Sequence, residues 1–274
     1  MDFTKGLFVF VITIDMFVNR KWNNENVIIT GASKGLGHAL AIEFTKLGAN
    51  VLALARSERE LISLKNYCQP FSGKLIFKQI DLSSDAEIFN LIEWIKFNWM
   101  IPSILINNAA LGQNSEIIAT CFSETIRIIK TNYISQILLS QMIGKQMVAN
   151  NGGLIVFVSS LAGKWPFNNM GIYTSAKWGI EGYSKVLRNE LSDKNVNVMV
   201  VRPGKIRTNF FENIGIALSQ KELKKMKDPH YIAIRILQAI SNGKNDLTIG
   251  KDKYFLFFKP LLPKIVAEYI LSKI

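Results

Sequence analysis

From residue 25 onward, short continuous apolar runs alternate with longer segments whose apolar residues recur at helical spacing. The runs are "NVIIT" (26–30), "NVLALA" (50–55), "KLIFKQIDL" (74–82), "SILIN" (103–107), "GLIVFVSS" (153–160) and "VNVMVV" (196–201). Between them lie "GLGHALAIEFTKLGA" (35–49), with Gly48 as a stop signal, "SERELISLKNYC" (57–68) and "SDAEIFNLIEWIKFNW" (84–99). One or two long helices are predicted over 115–150, and another over 171–192. A strand with one wet face alternates apolar and polar residues. These runs are apolar throughout, as in a parallel sheet covered on both faces. The pattern predicts an α/β chain: a single-domain Rossmann fold, a doubly wound parallel sheet of six to seven strands with helices on both faces. After residue 204 the pattern blurs. "NIGIALSQKELKKMK" (213–227) and "YIAIRILQAIS" (231–241) read as helical, and "DLTIG" (246–250) as an edge strand.

The expected division is an apolar extension over 1–24, the catalytic domain over 25–250 and an apolar tail over 251–274. "GLFVFVITIDMFV" (6–18) is interrupted by Asp15, and "YFLFFKPLLPKIVAEYILSKI" (254–274) by lysines and two prolines. Each falls short of the ~20 apolar residues of a membrane span. Two readings stay open for them: lying in a membrane interface, on the cytoplasmic side of the endoplasmic reticulum or another membrane, or packing on the domain or a dimer partner.

A net charge of +12 raises nucleic acid or an anionic surface as partners. The lysines are scattered, however, and the densest run, "QKELKKMKD" (220–228), is mixed in sign. A solvated lysine-rich surface is the simpler reading, with a peripheral membrane contact next and no nucleic acid expected. The two cysteines form no paired framework, which suits a reducing compartment. With only His38 and His230, a histidine-based metal site or serine–histidine triad has little material, and no metal is expected.

"TGASKGLG" (30–37) joins the first strand to the first helix. Glycines in such a turn let the backbone approach a phosphate, and the helix N-terminus offers unpaired N–H groups. Gly31, Ser33, Lys34, Gly35, Leu36 and Gly37 are therefore candidate dinucleotide contacts. The end of the second strand discriminates between cofactors. An acid there would bind the ribose 2′-hydroxyl, but this chain has Arg56 and Ser57. Two cations, Lys34 and Arg56, with the Ser57 hydroxyl, favour a 2′-phosphate, hence NADP(H) over NAD(H). The alternative is a pair of ordinary surface cations. Asp81, followed by Leu82, is placed to accept the adenine amino group or else to cap a helix. Asn108 and Ala109, in "NNAA" (107–110), are small enough for the backbone to touch the cofactor. Pro203 and Gly204 make a turn expected beneath the nicotinamide, with Ile206 and Thr208 toward its carboxamide.

These motifs, with Asn132 in "KTNYIS", "VSSLAG" (158–163), "YTSAK" (173–177) and "RPGKIRT" (202–208), resemble the short-chain dehydrogenase/reductase family over roughly residues 25–250. Family members often carry glycine where this chain has Ala110. The resemblance implies hydride transfer between a nicotinamide and a carbonyl or alcohol carbon, with a catalytic set of Ser160, Tyr173, Lys177 and Asn132. Ser160 stands thirteen residues before Tyr173, which selects it over Ser159. Tyr173 is the expected general acid/base. Lys177, one turn on, is expected to lower its pKa and to bond the ribose, and Ser160 to stabilise the oxyanion. Asn132 is expected to link Lys177 to solvent through water. Tyr269 and Lys273 repeat the spacing without such surroundings. Residues 209–228 are read as a substrate lid with Phe210, Phe211, Ile214, Ile216 and Leu218 available for an apolar lining. They suggest a hydrophobic, lipid-like ketone or aldehyde, as in the membrane-associated members. The family also implies a homo-oligomer, dimer or tetramer, through the long helices. A non-catalytic NADP-binding scaffold or sensor of the same fold is the rival reading, and the intact serine–tyrosine–lysine set argues against it.

Overall fold

The structure, a computed structural model, describes residues 22–250. The expectations placed on residues 1–21 and 251–274, including Tyr269 and Lys273, lie outside the described residues. Seven parallel strands form one sheet: β1 (Asn26–Thr30), β2 (Asn50–Ala55), β3 (Lys74–Gln79), β4 (Ile104–Asn107), β5 (Gly153–Val158), β6 (Val196–Pro203) and β7 (Asp246–Ile249). Their spatial order is β3-β2-β1-β4-β5-β6-β7. The order reverses between β1 and β4, and in such sheets ligands bind outside the carboxyl ends of the strands at that reversal. The edge strand expected at 246–250 is β7, in parallel register with β6 (Val200 opposite Asp246, Pro203 opposite Ile249).

Adjacent residues along each strand feed opposite faces, which is why the runs are apolar throughout. Val27, Ile29, Val51, Ala53, Ile104 and Ile106 pack under α1 (Gly35–Lys46), α2 (Glu58–Cys68) and α8 (Pro229–Ser241). Ile28, Leu52, Leu105, Ile155 and Phe157 pack under α3 (Asp85–Asn98), α5 (Ser135–Ala149) and α6 (Gly171–Glu190). Each such side chain withdrawn from water contributes about 1.5–3 kcal/mol before the entropy of ordering it. Trp22 is also buried, edge-on to Phe44 with ring centroids 5.2 Å apart. Among the described residues the packing thus reaches back to Trp22, within the stretch read as an extension.

Three differences from the sequence pattern have local causes. The third strand stops at Gln79, because Asp81 turns the chain by accepting from the Ser83 N–H and hydroxyl at 2.9 and 2.8 Å. The helix over 115–150 begins only at Phe122. It runs as α4 (Phe122–Ile129), a π-turn at Lys130–Ile134, then α5. The helix read over 213–227 shrinks to α7 (Gln220–Lys225), since Gly215 adopts φ +74°, a left-handed conformation that ends the preceding short turn.

Candidate active site

The carboxyl ends of β1, β4, β5 and β6 meet at the strand-order reversal. After β1, Gly31 and Gly35 take φ +69° and +59°, conformations that residues with a Cβ rarely adopt. A Cβ on Gly37 would strike the Gly31 carbonyl and the Asn108 amide. Asn108 fastens the turn from the β4 side: its side-chain nitrogen donates to Thr30 O at 2.9 Å and Gly31 O at 3.3 Å. The Thr30 hydroxyl accepts from the N–H groups of Asn108 and Ala109 at 2.9 and 3.0 Å. Glycine turn and "NNAA" segment are therefore one unit.

This turn fits the pyrophosphate of a dinucleotide. α1 opens at Lys34 with no side-chain cap bond and no acidic residue in its first turn, so its first N–H groups and positive dipole end remain for an anion. At the end of β2, Arg56 is exposed, and Ser57 begins α2 without using its side chain as a cap. Lys34 is turned toward α2, with its Nζ 3.3 Å from Glu60 Oε1. A carboxylate missed by the sequence reading thus sits beside the expected 2′-phosphate site; its signal was only its place one turn into the helix after Arg56. Asp81 holds a carboxyl below the usual range. Burial opposes this, but the two Ser83 bonds and the nearby Arg56 and Arg127 outweigh it. One of its oxygens is occupied by the turn, leaving the other for an adenine. Leu82 is buried behind it.

Ser160, Tyr173 and Lys177 converge at the end of β5. Ser160 leaves the strand extended, and its Oγ accepts from Ala162 N–H at 3.2 Å. Burial pushes the Tyr173 phenol up, and a hydrogen bond with Ser160 draws it partly back. Ser160 is thus the serine that meets the phenol; the Ser159 hydroxyl is buried with no hydrogen-bond partner. Lys177 is 1 % exposed. Its Nζ lies 5.7 Å from the Tyr173 ring centroid and donates to Val158 O at 2.7 Å. Desolvation lowers its pKa to about 8, against the field of Glu181, which raises it.

Burial is the leading influence on the Tyr173 phenol, and the Lys177 ammonium is directed to a strand carbonyl. Asn132 directs its amide to Leu111. Its Oδ1 accepts from Leu111 N–H and its Nδ2 donates to Leu111 O, both at 2.7 Å, so it clamps the segment after β4.

The sequence reading also missed a buried charge cluster behind Lys177. Glu181, one turn further along α6, accepts from Arg202 Nε and Nη2 at 2.6 and 2.7 Å and faces Lys164 Nζ at 2.8 Å. Arg202 also reaches Asp246 at 2.8 Å. The available signal was spacing: residues 173, 177 and 181 share a helix face, and Arg202 immediately precedes Pro203.

Pro203 ends β6, and Gly204 N–H donates to Ile249 O at 2.8 Å, so the following segment turns back over the cleft. Ile206 pairs with Lys227 and packs on the core. The Thr208 methyl rests on Gly35, where a Cβ would come within 2.9 Å of it. The Phe210 ring lies 5.7 Å from that of Tyr173 and touches Gly112 together with Ile214. The glycine turn, Tyr173 and the segment around Phe210 thus adjoin one another.

Residues 25–218 match the sequence family described as short chain dehydrogenase. A Drosophila melanogaster protein named dehydrogenase/reductase SDR family protein 7-like is 28% identical over 251 residues, 87% of this chain and 77% of its own length. The 3-oxoacyl-(acyl-carrier-protein) reductase of Escherichia coli is 30% identical over 182 residues, 66% of this chain and 73% of its own. Among solved structures, a short-chain dehydrogenase from Sphingobium yanoikuyae in complex with NADPH aligns with a TM-score of 0.78. It is 23% identical and covers 91% of this chain and 96% of that one.

Proposed function

Because this chain belongs to the short-chain dehydrogenase/reductase family of oxidoreductases, we propose that it catalyses the NADP(H)-dependent reduction of a ketone or aldehyde on a hydrophobic, lipid-like substrate. The observation that carries the reading is the gathering of Ser160, Tyr173 and Lys177 at one strand end, beside a glycine turn with a free helix N-terminus.

When bound, the dinucleotide supplies the hydride. The protein's own work is the proton and the charge. A general acid must carry its proton until the carbonyl oxygen needs it; burial keeps the Tyr173 phenol protonated. The Ser160 hydroxyl, beside the phenol, donates to oxygen as its negative charge develops. Once the proton leaves, the Lys177 ammonium stabilises the phenolate that remains, in a site where Phe210 and Gly112 exclude water. Lys177 would also bond the ribose hydroxyls, and Asn132 holds Leu111 of the segment after β4 in place. Gly31, Ser33, Gly35, Leu36 and Gly37 would hold the pyrophosphate. Asn108, Ala109, Pro203, Gly204, Ile206 and Thr208 would flank the nicotinamide, and Asp81 and Leu82 the adenine.

NADP(H) is proposed over NAD(H) because β2 is followed by Arg56 and Ser57 rather than an acid. A metagenomic relative, 25% identical, is described in complex with NADP, whereas a Burkholderia phymatum relative is described with NAD. The apolar lid supports a hydrophobic substrate, and the name of the bacterial ketoacyl relative points the same way. A homo-oligomer is proposed through α4 and α6, whose outer faces expose Phe122, Ile126 and Trp178. No helix among the described residues is long and apolar enough to cross a membrane; interfacial binding is proposed for the terminal segments.

The test is a reductase screen of NADPH against lipid ketones, retinaldehyde and medium-chain aldehydes, paired with Tyr173→Phe. Turnover should fall by about 10²–10⁴-fold in the variant, with NADPH affinity retained. Unchanged turnover in Tyr173→Phe removes the tyrosine from its role.

A further inference from the structure

α6 places Tyr173 as its third residue. The first four N–H groups of any helix lack an intrahelical acceptor, and a Ser, Thr, Asp or Asn just before the helix normally takes one or two. α6 has none of these. Met170 precedes it, no side-chain cap is made there, and the first turn holds no acidic residue. The acceptor comes instead from Gln113, fully buried and 60 residues earlier in the chain. Its Oε1 accepts from the N–H of Ile172 at 2.8 Å and from that of Tyr173 itself at 3.2 Å.

The other end of the amide is also anchored. Nε2 donates to Thr120 Oγ1 at 2.8 Å. That hydroxyl donates to Glu116 O at 2.9 Å and lies 2.9 Å from Ser115 Oγ. Ser115 N–H closes the loop onto Asn169 O at 3.0 Å. The amide cannot swing away from the helix without breaking this set.

Gln113 terminates the segment whose every turn meets the site. Asn108 and Ala109 fasten the glycine turn, Leu111 is clamped by Asn132, and Gly112 carries Phe210 and Ile214 of the lid. We propose that Gln113 is a positioning residue for Tyr173: it is the remote N-cap that fixes the root of the phenol relative to the floor on which the nicotinamide rests. The inference rests on the reading of Tyr173 as the proton donor. Its expected consequence is specific. Loosening the cap displaces the phenol while leaving the glycine turn, α1 and Arg56 intact, so chemistry suffers and nucleotide binding does not.

The experiment compares Gln113→Glu, which keeps the acceptor, with Gln113→Leu, which removes it at similar volume. NADPH affinity is read by fluorescence, amide hydrogen exchange at Ile172 and Tyr173 by mass spectrometry or NMR, and kcat and KM with phenanthrenequinone and a medium-chain aldehyde as probes. Gln113→Leu should lose exchange protection at those two amides and drop kcat by roughly 30–100-fold, the scale of a misplacement near 1 Å. Its NADPH Kd should stay within about threefold, and Gln113→Glu should restore kcat to within about threefold of the wild type. Unchanged protection in Gln113→Leu overturns the capping role. Full kcat with lost protection, or kcat and nucleotide affinity falling together, overturns the positioning role. If Gln113→Leu does not fold, the pair Ser115→Ala and Thr120→Val, which leaves Nε2 only its 3.4 Å bond to the Ser115 carbonyl, is judged by the same outcomes. A wild type that turns over neither probe counts against the proposed reaction, and the exchange and nucleotide arms still decide the cap.

Discussion

Two lysines frame the candidate cleft in opposite environments. Lys34 stands in the glycine turn with 64% of its side chain exposed, paired at 3.3 Å with Glu60. Lys177 stands at the end of β5 with 1 % exposed, its ammonium on a strand carbonyl. The same functional group serves two purposes according to its solvent. In water a charge is screened and acts as a modest, salt-sensitive recognition element. Inside the protein its protonation becomes adjustable and its field strong. Desolvation lowers Lys177 to about 8.

The largest contrast should appear in turnover. Lys177→Met should reduce kcat/KM by roughly 10³-fold, within the range of a lost acid–base partner, while Lys34→Met should leave kcat within about threefold. Comparable losses from both would erase the distinction.

The next contrast is in pH. Glu181 opposes the desolvation of Lys177 and is itself held ionised by Arg202 and Lys164. Activity that needs a cationic Lys177 should decline above about pH 8, and Glu181→Gln should move that alkaline limb lower. Stability has the opposite sign. The folded pKa of Lys177, about 8, lies below its unfolded value of 10.5. Between these values the unfolded chain binds more protons, so this group makes unfolding harder as pH rises. Urea midpoints at the two ends of that window should show a rising contribution that Lys177→Met abolishes. An alkaline limb unmoved by Glu181→Gln would disconnect the carboxylate from the lysine.

The same division separates what the sequence made legible from what it hid. Strand runs such as "NVIIT" and "NVLALA" were readable because burial on both faces demands apolar residues at every position, and β1 and β2 match them to the residue. The glycine turn was readable because a strand-to-helix turn of that shape requires glycine at fixed spacing, and the 160/173/177 set was named through the family resemblance. Tertiary partners left no such mark. Gln113 caps a helix 60 residues away, and no local pattern announces it. Asn132 was found by resemblance, yet its amide serves Leu111. Helical spacing reports the distance from Tyr173 to Lys177 but carries no sign of the burial of the phenol, which acts on it in the opposite direction. The helix read over 213–227 is shorter in the structure: its apolar spacing suits a helix throughout, but Gly215 takes a left-handed turn.

The smallest effect tests the exposed lysine most closely. Lys34 is shared: a 2′-phosphate bound beside Arg56 must compete with Glu60 for it. A phosphate brings close to two negative charges into a site that already holds one carboxylate. Lys34→Met should therefore narrow the preference for NADPH over NADH by about twofold to fivefold, the scale of an exposed pair. Glu60→Gln should widen it by about twofold, since it removes a repulsion without removing the cation. Both effects should shrink as salt is raised, because the groups lie within reach of counterions. Fluorescence titrations of the two nucleotides at low and high salt supply the comparison. Weaker NADPH binding in Glu60→Gln would mean that the carboxylate orients Lys34 toward the phosphate rather than competing for it, and the exposed lysine would then share the preorganised character assigned to the buried one.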